Sequence, residues 1–510
     1  MYSIDRDSDV ALYVQIRDAI ENAIKEGRLK VGDRLPSVSS LAKEIGVTQA
    51  TVRRALQDLT ESGLTDSHVG RGTFIREKSD GEDRGNDHKR SEFSQPYRKN
   101  VDELKISAAR RMRTGVSKAL YDIMPLAHKP GVIQLTRGVP DPDLLPEGFV
   151  DEVCRELLSK GDKHLVQATE PQGMYALRAE IARRESERGV SVGPDQVLIT
   201  NGVSQAISLV GQSLLESPYD LVLESPNFLG VANSFSAMGH WVETVRRDNS
   251  GPNMEQLARM STGAPKLLYV CPYAHNPTGL NMTTARTLEL VRWARDTSGL
   301  ILTDEIFRDL RFRPSDTTSL LRELGAEQTI VVNSLSKTVM TGMRLGWVIS
   351  SPQRIKELTG LKKLMDQASP TLIQAMALSI FKSGRYEGLV GTLQGVYEKR
   401  TNIMHKALKR YMPQEVTWSK PEGGFSMMLE LPNGYSSVAL LLFAVEKGVS
   451  FLPGPLFDID HRYVNAMRLS CAWSDEHEIK EGVQLLADAV GEFISKPPED
   501  SGLSGLGGYQ

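Results

Sequence analysis

The stretch NSLSKTVMTGMRLG, residues 333–346, follows the apolar run TIVV at 329–332. A short apolar run ahead of a polar loop reads as a buried strand that ends there. Just past its end the chain carries Ser334, Ser336 and Lys337, then Arg344 seven residues after the lysine, with Gly342 and Gly346 to turn it. Most lysines are solvated surface groups, and Lys337 alone is open to that reading. The other strand ends of the chain open a second one, a lysine held in a pocket for chemistry.

Further runs of the same kind are QVLIT (196–200), YDLVLES (219–225), KLLYVCP (266–272) and GLILTDE (299–305). Helical stretches alternate with them, such as QAISLVGQSLL (205–215) and TARTLELVRWARD (284–296). This alternation predicts a largely parallel sheet flanked by helices. Ligands in such sheets sit at the carboxyl ends of the strands. Asn201-Gly202-Val203-Ser204 follows one strand as a junction whose free N–H groups suit a phosphate. Asn276-Pro277-Thr278-Gly279 follows another, and Asp304 ends a third. Each has an ordinary explanation: a turn, a helix cap, a surface arginine. Together they bring a lysine, an acid, an amide and an arginine to one sheet edge. From about 395 the pattern changes to a smaller α+β lobe, with a long helix, strands around GGFSMMLELP and MRLSCA, and a helix at 436–447.

The chain has 510 residues, too many for one ordinary core. It is 40 % hydrophobic and 25 % charged, with net charge −3 and mean hydropathy −0.28. That balance carries no global basic excess, although a small basic face is compatible with it. Cys154, Cys271 and Cys471 form no CxxC pair, so neither a disulfide framework nor a metal site is expected. No apolar run reaches membrane-spanning length and the start is charged, so a cytoplasmic protein is expected.

Residues 1–76 read as a separate unit. Leu12, Ile16, Ile20 and Ile24 recur at helical spacing. Pro36-Ser37 opens a second helix that Gly46 stops, and Thr48 starts a third, ended by Gly63. Two extended pieces follow, joined at Gly70-Arg71-Gly72. The gap at Gly46-Val47 fits the turn of a helix-turn-helix, and the pair of strands fits a wing; a plain three-helix bundle is the alternative. The unit holds eleven Lys+Arg and eleven Asp+Glu, so it is neutral. Residues 77–116 begin as a polar run of mixed charge and are assigned as a linker, 117–494 as the large domain with its small lobe at about 395–494, and 495–510 as a disordered tail.

The motifs TNGVSQAI, ESPNF, YAHNPTG, DEIF, NSLSKT…RLG and MRLS make 131–494 resemble the aspartate-aminotransferase superfamily, the fold-type I enzymes that use pyridoxal 5′-phosphate. That resemblance implies an α/β fold-type I domain with Lys337 as the Schiff-base lysine, whose neutral form is the reactive one. It implies Asp304 beside the pyridine nitrogen, keeping the ring an electron sink. It also implies Asn276 on the ring oxygen, Phe228 stacked on the ring, and Arg468 on a substrate α-carboxylate. Val203, Ser204, Ser334, Ser336 and Arg344 would form the phosphate cup, the arginine fork suiting a dianion. The family usually places a tyrosine three residues after the aspartate, where this chain has Phe307. The change removes one hydrogen bond to the ring oxygen and bears on the efficiency of transamination.

Residues 9–76 resemble the winged helix-turn-helix of the GntR family of bacterial regulators, through LYVQIRDAI, IKEGRLKVGDRLPSVSSLA, GVTQATVRRALQDLTESGL and GRGTFI. By that resemblance Thr48, Gln49, Thr51, Arg53 and Arg54 lie on or near the recognition helix, and Arg71 is carried by a wing able to enter the minor groove. Family members often carry arginine where this chain has Ser39 and Gln49, which implies fewer phosphate contacts and a shallower salt dependence. The two resemblances in one chain match the MocR-type subgroup of GntR regulators. They imply a homodimer that binds double-stranded DNA and pyridoxal phosphate and responds to an amino acid, an amine or the cofactor. A working aminotransferase acting on an α-amino acid is the alternative, favoured by Arg468.

Overall fold

In the computed structural model of the chain, the described residues are 12–47, 51–52, 55–56, 59–60, 64–68, 72–75, 129, 131–214, 219–260, 265–313, 318–460 and 462–498. The chain divides into two compact units, 1–96 and 97–510.

The first unit opens with helix Leu12–Lys25 and then helix Val38–Ile45. The Ser37 hydroxyl accepts a hydrogen bond from the Ser40 N–H, and Gly46, at φ 74°, closes the second helix in the left-handed region that favours glycine. Backbone at 51–52, 55–56 and 59–60 is helical, and Val52, Ala55, Leu56 and Leu59 turn one face into a core with Ile16, Ile20, Leu35, Leu41 and Ile75. Strands β1 (Thr65–His68) and β2 (Gly72–Ile75) pair antiparallel. The order is that of a winged helix-turn-helix.

In the second unit, β3 is Ile133–Gln134, and an eight-stranded sheet is built from β4 (Val197–Thr200), β5 (Asp220–Ser225), β6 (Val242–Asp248), β7 (Gly251–Pro252), β8 (Lys266–Val270), β9 (Leu300–Asp304), β10 (Thr329–Ser334) and β11 (Gly346–Ile349). Its order is β4-β11-β10-β9-β8-β5-β6-β7. The pairs from β10 through β6 are parallel, as the strand-helix alternation predicts. β11 runs antiparallel to both its neighbours. Residues 333–346 are therefore a reversal between antiparallel strands, with Ser334 directly opposite Gly346.

Strands β8, β9 and β10 are buried throughout, because both faces of the sheet are covered. One face, through Leu223, Leu267, Leu302 and Val332, packs on Leu209 and Leu358 of helices Val203–Ser213 and Pro352–Met365. The other, through Val222, Leu268 and Ile301, packs on Leu290 and Ala294 of helix Thr284–Thr297.

The smaller lobe holds β12 (Thr417–Trp418), β13 (Ser426–Glu430), β15 (Leu452–Pro453) and β16 (Ala466–Ser470) in the order β12-β13-β16-β15. Helices Arg385–Tyr411, Ser437–Glu446 and Glu476–Ile494 accompany it. β14 (Val449–Ser450) pairs in parallel with β3, so residues 133–134 join a lobe otherwise made from the end of the chain. Among the described residues, no helix is long and apolar enough to cross a membrane.

Candidate functional site

A cavity of about 610 Å³ opens at the carboxyl ends of the strands. Lys337, Asp304, Asn276, Phe228, Val203, Ser204, Ser336, Arg344 and Arg468 all line it. They come from positions spread over more than half the chain, and the sheet order collects them.

Lys337 projects from the loop just past β10, and its Nζ donates to the Gly138 carbonyl at 2.5 Å. Burial, and then the positive charge of Arg468, pull its amine down to about 8, against the opposing pull of Asp304. Asp304 ends β9 with Oδ1 accepting from the Ile306 N–H and Oδ2 from the Tyr269 hydroxyl, both at 3.0 Å. Burial pushes its carboxyl up to about 6, since neither neutral donor offsets the lost solvation.

Asn276 and Arg468 meet across the cavity, with Arg468 Nη1 donating to Asn276 Oδ1 at 3.2 Å. That bond leaves the Asn276 amide N–H groups available to a ligand. Arg468 also donates through Nη2 to the Thr136 carbonyl, and its Nε is buried without an acceptor. No carboxylate is among these partners, and burial alone lowers the guanidinium to about 10. The loop bearing Asn276 rests on a buried pair: Arg247 Nη1 lies 2.8 Å from Glu224 Oε2, and Glu224 Oε1 accepts from the Cys271 N–H.

The far end of the cavity is made for an anion. Helix Val203–Ser213 begins there with no side-chain cap, leaving its first N–H groups toward the cavity residues Val203 and Ser204. Arg344 sits at φ 48°, a left-handed conformation that costs a non-glycine residue energy, and it is held against the Asn201 carbonyl at 3.4 Å. Gly202 itself sits at φ 93°, and a Cβ on Gly346 would lie 2.7 Å from the Asn333 carbonyl and 3.0 Å from the Gly202 backbone, so this approach requires both glycines. Ser336 lines the cavity, whereas Ser334 does not. The Ser334 hydroxyl lies 2.8 Å from the Leu345 carbonyl and from the Ser336 hydroxyl, and it accepts from the Ser336 N–H at 3.0 Å. It ties the loop shut behind Ser336.

Phe228 is 54 % exposed, so it is not an ordinary core phenylalanine. Phe307 is buried edge-on to Phe425, their ring centroids 5.2 Å apart, and also lines the cavity. Several lining residues were not legible in the sequence. Tyr269 lies inside an apolar strand and reads as core, yet its hydroxyl reaches Asp304. Thr136–Gly138 are distant in sequence, yet their three carbonyls accept from Arg468, Ser470 and Lys337. Asp366 Oδ2 accepts from Asn201 at 2.6 Å and from Gln205 at 2.5 Å, bracing the helix start from behind.

Of the residues assigned to DNA, Thr51 is half-buried and its backbone is helical. Thr48, Gln49, Arg53, Arg54 and Arg71 lie outside the described residues, as do all of the linker 77–116 and residues 499–510 of the tail.

Residues 131–486 match the family described as aminotransferase class I and II, and residues 12–75 match the bacterial regulatory proteins of the gntR family. The chain is 30 % identical to 2-aminoadipate transaminase of Thermus thermophilus over 378 residues, 73 % of this chain and 94 % of that protein. It is 27 % identical to the uncharacterized HTH-type transcriptional regulator YdfD of Bacillus subtilis over 497 residues, 95 % of this chain and 97 % of that protein. Among solved structures, LysN, an alpha-aminoadipate aminotransferase of Thermus thermophilus, is similar at 28 % identity and a TM-score of 0.69, covering 76 % of this chain and 97 % of that one.

Proposed function

Because the chain belongs to the aminotransferase class I and II family and begins with a gntR-type helix-turn-helix unit, we propose that it is a regulator that binds specific DNA as a homodimer in the cytoplasm and responds to an amino acid, an amine or pyridoxal phosphate itself. The observation that carries this reading is the union of both units in one chain, the MocR-type arrangement, with a likeness spanning both to a protein named as a transcriptional regulator. The domain limits that go with it are 1–76 for DNA binding, 77–116 for the linker and 117–494 for the cofactor domain, followed by the tail 495–510.

The family's cofactor is pyridoxal phosphate, which supplies an aldehyde reactive toward amines and a ring that withdraws electrons. The donor set of the cavity fits it. Arg344, Ser336 and the N–H groups of Val203 and Ser204 would hold the phosphate, with Ser334 positioning Ser336. Asp304 would hold a proton at the ring nitrogen, and a cation there offsets the burial that pushes its carboxyl up. Asn276 would donate to the ring oxygen, and Phe228 offers the ring an exposed aromatic face. Lys337, with its amine near 8, has a neutral fraction at physiological pH. Arg468 would bind the α-carboxylate of an amino acid. Thr48, Gln49, Thr51, Arg53, Arg54 and Arg71 would contact DNA, phosphates through the arginines and bases through the shorter side chains.

A second reading, a working aminotransferase, is favoured by Arg468 and by the completeness of the cavity; Phe307 weighs against it. The experiment is an absorbance titration of the cofactor-loaded protein with amino acids and amines, paired with operator binding. Specific DNA binding that an amino acid alters, with negligible turnover, supports the regulator. A 2-oxoacid-dependent cycle without specific DNA binding refutes it.

A further inference from the structure

The anion end of the cavity begins at an uncapped helix. Its N-cap position is Gly202, which has no side chain to accept from the first N–H groups, so these stay free for a ligand. A helix start without a cap frays unless something else holds it. Here the hold comes from outside the helix. Asp366 Oδ2 accepts from Asn201 Nδ2 at 2.6 Å and from Gln205 Nε2 at 2.5 Å, and Gln205 Oε1 accepts from the Asn201 N–H at 2.8 Å. The Asn201 carbonyl accepts in turn from Arg344 Nη2. Asn201 is thus fixed at its side chain, its N–H and its carbonyl, and the carbonyl reaches the arginine of the cavity.

A carboxylate this close to the helix start repels the anion that the helix start attracts. Lys362 offsets that repulsion. It is fully buried, and its Nζ lies 2.7 Å from Asp366 Oδ1, one turn back along helix Pro352–Met365. A lysine is almost never fully buried without such a partner. One oxygen of Asp366 therefore carries the counter-charge while the other holds two amides. The turn that carries Asp366 is equally defined. Gln367 sits at φ 64°, a left-handed conformation that costs a non-glycine residue energy, and the Ala368 N–H donates to the Asp366 carbonyl at 2.7 Å.

We propose that Asp366 is a positioning residue for the cofactor phosphate. Through Asn201 and Gln205 it fixes the start of helix Val203–Ser213 without using the N–H groups that the phosphate needs, and Lys362 keeps its charge from opposing the phosphate. This rests on reading Arg344, Ser336 and the helix start as the phosphate cup.

The test uses full-length protein freed of cofactor. Equilibrium dialysis compares pyridoxal 5′-phosphate with pyridoxal, which lacks the phosphate. Wild type is expected to prefer the phosphorylated form. Asp366→Asn is expected to weaken pyridoxal 5′-phosphate about tenfold or more, the scale of one hydrogen bond to a charged group, and to leave pyridoxal unchanged. Lys362→Met leaves the carboxylate without its counter-charge and gives a loss confined to the same ligand. Combining Lys362→Met with Asp366→Asn removes both charges and recovers part of that loss. Gln205→Met, at a half-buried position, removes one tether and gives a smaller loss of the same selectivity, so the test stands even where the buried Lys362→Met variant does not fold. If wild type prefers the phosphorylated form but Asp366→Asn and Gln205→Met weaken both ligands equally, or weaken neither, the proposal alone is overturned. If wild type binds the two ligands equally, the reading of the phosphate cup fails as well.

Discussion

The depressed amine of Lys337 is the property on which the cavity's chemistry turns, and it can be measured without cofactor. At pH 7 an amine with a pKa of about 8 is about 9 % neutral, whereas an ordinary lysine at 10.5 is about 0.03 % neutral, a gain of roughly 300-fold. Burial supplies the largest part and the Arg468 charge adds to it, while Asp304 opposes both. Asp304, at about 6, is ionised where Lys337 titrates, so its opposition is present there. Competitive acetylation of the apoprotein with acetic anhydride, read at Lys337 by peptide mass spectrometry across a pH series, reports the neutral fraction directly. The expected midpoint is near 8. Replacing Arg468 by Met removes a repelling cation and moves the midpoint up. Replacing Asp304 by Asn removes the stabilising anion and moves it down. A midpoint near the ordinary 10.5, or shifts of the same sign in both variants, refutes the reasoning.

Asp304→Asn also separates stability from function. The folded pKa of Asp304 is raised above the unfolded value, so its ionisation opposes folding; the carboxyl favours the fold only below pH ~4, and that contribution is lost as pH rises to about 6. At pH 7 the apoprotein of this variant is expected to melt higher, by up to about 3 kcal/mol of stability, while binding pyridoxal phosphate at least tenfold more weakly; calorimetric melting and equilibrium dialysis check the two. Gly346→Ala places a Cβ 2.7 Å from the Asn333 carbonyl and 3.0 Å from Gly202, at a cost of about 1–3 kcal/mol, and is expected to lower both Tm and cofactor affinity. Leu41→Ala, at a fully buried position of the first unit, costs about 2–5 kcal/mol there; operator binding is lost in a gel-shift assay while the cofactor absorbance of the second unit is retained.

Much of the candidate site could be read from the chain because its residues sit where local pattern is strongest. Apolar runs mark the strands, and the polar residues directly after them must fall at the sheet edge, which is how Asp304, Asn276 and Lys337 stand out. The helical spacing of Ile16 and Ile20 and the glycine at 46 likewise fix the first unit locally. Pairing is not local. That Gly346 returns antiparallel beside Ser334, that residues 133–134 join β14, and that Tyr269 reaches Asp304 depend on contacts between segments that carry no shared sequence signal.

The sequence by itself determined which groups stand at the strand ends, because the alternation of apolar runs and helices dictates where each strand stops. Only the tertiary structure decided what those groups meet. It turned Ser334 away from the cavity to brace Ser336, left Phe228 exposed rather than buried, and put Arg137 against Trp473 more than three hundred residues away. The physical reason is that burial, charge environment and stacking are properties of neighbours, and the fold chooses neighbours by packing rather than by order in the chain.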